Sequence, residues 1–140
     1  MIILFFVVSL SLSALAENIN KDWFGVAVKG VDVVEYFKDK KVVKGSKDFV
    51  AEYDGAKWYF SSDENKAMFL KDPQSYMPQY GGYCAFAVSQ NHTADTDPNA
   101  WKIVNNKLYL NYNSSVSEKW NQNRDQFIQQ ADQNWPHLNK

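Results

Sequence analysis

Hydrophobic positions in this chain fall into short alternating runs and helical stripes, separated by turn-forming dipeptides. Phe24, Val26 and Val28 alternate with smaller or polar residues, which predicts a short strand running into a Lys29-Gly30 turn. Asp32 can cap a helical turn over Val33 to Phe37, because its carboxylate can accept orphan N–H groups. A charged loop from Lys38 to Lys47 follows. Phe49 to Tyr53 and Lys57 to Phe60 flank Asp54-Gly55, where both positions tolerate positive φ, so the pattern predicts a β-hairpin. Ser61 with Glu64 reads as a capping box opening a helix that carries Ala67, Met68, Phe69 and Leu70, and Asp72-Pro73 ends it. Tyr76 to Tyr80 is a turn-rich link through Pro78. Gly81-Gly82 then frees the backbone ahead of Tyr83 to Val88, which reads as a short helix or a buried strand, with helix the preferred reading. Asn91 to Asn99 is a polar loop, and Asn105-Asn106 joins Trp101 to Val104 and Lys107 to Tyr112 into a second hairpin.

The last third is helical. Ser115 and Glu118 suggest a second capping box, and Val116, Trp120, Phe127, Ile128, Ala131 and Trp135 follow a helical stripe broken near Asn123 and ended by Pro136. Trp120 and Trp135 share that stripe and are both expected inside. With no internal repeat, the elements define a small single α+β domain with two β-hairpins, flanking helices and a C-terminal helical segment.

The first sixteen residues read differently. Ile2 to Val8 is solidly apolar, Leu10 to Leu15 continues the run with serines, and Ala14-Leu15-Ala16 is a small-x-small cleavage site. No Lys or Arg precedes the run, and it is short of the ~20 residues a membrane span needs. The expectation is a signal peptide over 1–16 and a domain over 17–140. The protein is then periplasmic or secreted, with no stable membrane insertion after cleavage and an uncleaved anchor as the lesser reading.

Composition narrows the chemistry. Hydrophobic residues are 45%, charged residues 22% and aromatics 16%, a globular balance with an aromatic core. A net charge of −1 gives no basic surface for a nucleic-acid partner. The single cysteine, Cys84, excludes an internal disulfide and a Cys-x-x-Cys exchange motif. No Gly-rich loop followed by Lys-Ser/Thr is present to cradle phosphates. Asn91-His92-Thr93 and Asn113-Ser114-Ser115 fit the glycosylation pattern.

The segment Val31-Asp32-Val33-Val34-Glu35-Tyr36-Phe37, then Tyr53-Asp54-Gly55-Ala56-Lys57-Trp58-Tyr59-Phe60-Ser61-Ser62, then Phe69 and Pro73-Gln74-Ser75-Tyr76, resembles the YHS domain family. Tyr80-Gly81-Gly82-Tyr83-Cys84-Ala85, Trp101-Lys102-Ile103-Val104, Lys107 to Asn111 and Ala131 to Pro136 look like the exported bacterial branch of that family. The resemblance implies heavy-metal chemistry, copper above all, held in many relatives by cysteines before the hairpin and just after its second strand. Those thiolates are absent here, where Ser61, Ser62, Asp63, Glu64 and Asn65 follow the hairpin. Some relatives of the exported branch carry selenocysteine at the position of Cys84, which implies redox or soft-metal chemistry there.

Cys84 also has a case of its own. A thiol in the first turn of a helix after two glycines is favoured as thiolate by free N–H groups. A free cysteine is also at home as a small buried hydrophobe, but the resemblance favours function, so the expectation is an accessible thiol with a lowered pKa. His92 could join Cys84 to hold Cu(I), which accepts sulfur and imidazole. Met68 and Met77 are thioethers more at home in a core. Asp32, Tyr36, Tyr59, Tyr80 and Tyr83 are candidates for an aromatic-lined pocket. Three functions follow: an exported module binding a soft metal such as copper through Cys84 and His92, a thiol redox protein using Cys84, or a non-catalytic domain binding an apolar ligand or protein partner. An enzyme is the less favoured class.

Overall fold

A computed structural model describes residues 17–139; the expected signal peptide lies outside the described residues. The elements in chain order are α1 (Val33–Lys38), β1 (Ser46–Tyr53), β2 (Ala56–Phe60), α2 (Asp63–Lys71), α3 (Pro73–Tyr76), α4 (Ala85–Ser89), β3 (Asp97–Val104), β4 (Lys107–Asn111), α5 (Ser114–Asn121) and α6 (Arg124–Leu138). This is the α+β domain with two hairpins that the pattern predicts.

Each hairpin is a separate two-stranded antiparallel sheet. In the first, Ala51 faces Trp58 and Tyr53 faces Ala56; in the second, Trp101 faces Leu110 and Val104 faces Lys107. Asp54-Gly55 and Asn105-Asn106 all have positive φ, which the tight I′ connection requires.

Alternation along β4 divides the interior. Leu108 and Leu110 join a first core around Trp58, Phe60, Phe69, Tyr36, Val33 and Val34. Tyr109, one residue between them, points the other way into a second core with Tyr80, Ala85, Val88, Trp120 and Ala131. Period-two geometry thus makes β4 a wall shared by both cores. Helix α6 closes the second core and also caps α4, since Asn134 donates to the carbonyls of Val88 and Ser89 at 2.9 and 3.2 Å.

Several local expectations need correction. Residues 24–28 form no strand, only isolated bridges from Val26 to Lys57 and from Lys21 to Ala27. The Asp22 carboxylate takes the N–H groups of Phe24 and Val26 into a tight turn, and Val28 enters a left-handed turn at φ 51°. Helix α2 is capped by Ser62, which accepts from the Asn65 N–H, because Ser61 is drawn away to Asp32. Helix α5 is capped by Asn113 rather than Ser115. Pro136 sits inside α6, which continues to Leu138; one turn from the end it removes a single helical hydrogen bond. Trp120 is fully buried, whereas Trp135 on the same stripe is only half-buried.

Candidate functional site

Cys84 occupies the residue before α4. Its N–H donates to Ala94 O at 2.9 Å and its carbonyl accepts from Val88 at 3.0 Å, so the backbone is held on both sides. The side chain is 1% exposed. Its sulfur lies 3.5 Å from Asn111 Oδ1, which also accepts the Phe86 N–H at 3.0 Å. With Oδ1 fixed by two donors, Asn111 Nδ2 is left buried without a partner. Burial pushes the thiol above its ordinary range, and the N–H groups of Ala87, Tyr112 and Phe86 offset that only in part. The expectation of an accessible, acidified thiol is therefore corrected: a helix of one turn adds little dipole, and desolvation dominates.

His92 does not share this environment. It is exposed, with Nδ1 3.4 Å from Thr93 O. Met68 and Met77 pack in the first core. Among the described residues no group of three or more His, Cys, Asp or Glu is placed to hold a metal ion.

The pocket candidates separate. Asp32 and Tyr36 are buried in the first half; Tyr36 donates to Pro98 O at 2.6 Å and leans on Trp101 at 5.1 Å, and burial raises its phenol strongly. Tyr59 lies half-buried on β2, its ring over Gly30. Only Tyr80 and Tyr83 come together, both packed on Trp135 at ring distances of 6.2 and 5.9 Å. Burial raises the Tyr83 phenol, with the charge of Glu17 adding to it.

Asp32 instead forms a buried polar knot. Oδ1 accepts the Val34 N–H at 2.9 Å; Oδ2 accepts the Ser61 N–H and hydroxyl, both at 2.8 Å, and Asn65 Nδ2 at 2.9 Å. Asn65 also donates to Glu35 Oε1 at 2.6 Å. Ser61 and Asn65 follow the hairpin where the family resemblance implies thiolates, so the place is closed here by hydrogen bonds. Glu35 Oε2 has no N–H or O–H donor. Its hydrogen-bond neighbour is the Asp39 carboxyl, which raises the Glu35 acid above its ordinary range against the opposing Asn65 bond, with burial adding to the rise. The sequence carried a signal for this knot: Asp32 and Glu35 are one turn apart in an otherwise apolar segment.

The concave feature that lies between the two cores is an open groove of about 600 Å³. Asp54 from the first hairpin turn, Gln74, Gln79, Tyr80, Lys107, and Asp132 and Trp135 of α6 line it. Tyr80 is held in the left-handed region at φ 58° and is 5% exposed. Its hydroxyl donates to Asp132 Oδ1 at 2.8 Å. Burial first, then that bond and the Asp132 charge, raise the Tyr80 phenol; burial with the same carboxylate pushes Tyr109 up to about 12. Gly81 follows at φ 63°, and a Cβ there would overlap the Asn18 carbonyl, so only glycine lets residues 18–20 pass so close. A bulky residue at positive φ is strained, and persists because its surroundings over-determine it. Sequence reasoning named Tyr80 and missed Asp132, Asp54 and Lys107, which reach the groove from distant elements.

Fold and site together define a small α+β domain with a packed thiol, a polar knot and an open groove. Residues 34–80 match the family model of the YHS domain, which supports the YHS family for the part of the chain running from α1 to the Tyr80 turn. Cys84, Asp132 and Trp135 lie beyond the matched residues. No curated protein and no solved structure matches the chain.

Proposed function

We propose that this protein is an exported, non-catalytic binding module whose ligand site is the groove between the two cores. The observation that carries this reading is the groove itself, whose wall is set in advance by Tyr80 locked onto Asp132. Carboxylate, amide and ammonium groups around one half-buried indole give a polar surface, which favours a polar ligand over an apolar one. Planar hydrogen-bonding groups beside an aromatic face suit a hydroxyl-rich molecule of saccharide size, which stacks its C–H face on Trp135 and shares its hydroxyls among Asp54, Asp132 and Gln79.

Calorimetric titration with glucose, glucosamine, N-acetylglucosamine and their disaccharides tests the reading. At least one should bind, and Trp135→Ala and Asp132→Asn should each weaken it by about tenfold, or roughly 1.4 kcal/mol. Absence of binding across this set, or binding indifferent to both substitutions, overturns the saccharide site.

Copper held by Cys84 and His92 is the competing reading. The Ala87, Tyr112 and Phe86 N–H groups favour a thiolate and so speak for it. Against it stand the sealed sulfur and the exposed, separate His92. A Cu(I) competition assay with a chromogenic chelator decides: the groove reading predicts no competition by the native chain, and His92→Ala then changes nothing.

A further inference from the structure

The turn at Trp23-Phe24 exposes two adjacent aromatic rings. Trp23 is 96% exposed and Phe24 76%, although isolated exposed apolar residues are ordinary and a neighbouring pair of this size is a patch. The turn that presents them is fixed. Asp22 Oδ1 accepts the N–H groups of Phe24 and Val26, Gly25 donates to Asp22 O at 2.9 Å, and Asp22 donates to Val26 O at 3.0 Å. Gly25 supplies the positive φ of 83°, so the backbone that presents the rings has little conformational freedom to lose on docking.

Charge around the turn differs between its sides: Trp23 borders Glu17, Lys21 and Asp22, with Lys21 paired to Glu17, and the Phe24 side is mainly basic. Phe24 borders a shallow groove that Lys29, Lys44 and Lys47 also line, with Asp22 as its carboxylate. That carboxylate has one oxygen turned onto backbone N–H groups. Lys29 is paired with Asp95 at 3.1 Å, whereas neither Lys44 nor Lys47 has an ion-pair partner among the described residues. Two protruding rings with free ammonium groups set behind them match a bilayer surface: indole favours the headgroup boundary, and lysines favour anionic lipid. A protein partner would need a preformed cavity for a fully protruding indole, while a lipid surface yields to it.

We propose that the Trp23-Phe24 turn is a peripheral docking tip for an anionic lipid surface, seated by the two rings and steered by Lys44 and Lys47. Docking of this kind is distinct from spanning, and no described helix is long and apolar enough to cross a membrane.

The test uses the full chain with phosphatidylglycerol–phosphatidylcholine vesicles whose acyl chains are brominated, so that an inserted indole is quenched whether or not the first residues also hold the chain to lipid. Wild-type emission should contain a quenched, blue-shifted component that Trp23→Phe lacks. Lys44→Glu with Lys47→Glu should lower the vesicle concentration dependence of that component by about fivefold per lysine, leaving the fold unchanged by circular dichroism. Equal quenching of wild type and Trp23→Phe overturns the proposal, and an absence of quenching in both does the same, leaving a protein surface as the target. Quenching that is identical on pure phosphatidylcholine overturns its anionic part.

Discussion

The two cores handle buried polarity differently. In the first, Asp32 is fully buried yet receives four hydrogen bonds, and Glu35 Oε2 is the orphan beside it. In the second, Asn111 Nδ2 and Trp120 Nε1 are buried with no partner at all. A buried unpaired donor costs about 1–3 kcal/mol, so the second half folds on aromatic packing in spite of its polar atoms. The stretch matched by the YHS model builds much of the first core, and the second core supplies α6, with Asp132 and Trp135, to the groove.

Substitutions break or sharpen that contrast, and the largest effect is expected at the second core's centre. Trp120→Ala should lose about 3–5 kcal/mol in denaturant titration, because the indole is fully buried against Tyr109 at 5.3 Å and little can collapse into the space. Trp135→Ala, half-buried, should cost well under half of that; equal losses would show that the groove wall is core. Asp32→Ala should follow at about 3 kcal/mol, since it strands donors from Val34, Ser61 and Asn65. Asn111→Leu should cost less, about 1–2 kcal/mol, because losing the orphan amide offsets part of the cost of stranding the Phe86 N–H and the Cys84 thiol. If it costs as much as Asp32→Ala, the two cores are not different in kind.

The smallest effect is a slope with pH. The Glu35 acid is raised in the folded state, first by its bond to Asp39 and then by burial against the opposing Asn65 bond. Its contribution is fully present below the unfolded value of about 4.3 and is lost as pH rises through the higher folded value. Glu35→Gln should therefore gain on the wild type as pH rises above that range, and a difference that is flat with pH would show that folding does not raise the Glu35 acid.

Local chemistry made both hairpins legible, because Asp54-Gly55 and Asn105-Asn106 demand positive φ wherever they occur. Capping was legible only to within a residue or two. Ser61 looks like a cap in isolation and is taken by Asp32, 29 positions away in the chain, and Asn113 outcompetes Ser115. The alternation at Phe24, Val26 and Val28 misled because Asp22 folds the segment back before it can pair. The site was less legible than the fold. Gly81-Gly82 suggested an open approach to Cys84, whereas Gly81 is needed for the passage of Asn18, and the sulfur is sealed by Asn111 from β4. The groove joins residues from Asp54 to Trp135, a convergence that no local pattern announces.

Whether the thiol is a packed side chain or a reactive one is the question on which the functional assignment turns, and native-state alkylation of Cys84 answers it directly. With iodoacetamide below pH 8, the folded chain should react only as fast as it opens, and the rate should rise steeply as denaturant populates the unfolded state. Fast modification of the folded chain below pH 8, insensitive to denaturant and slowed by Cu(I), would contradict the packed thiol and return the function to Cys84.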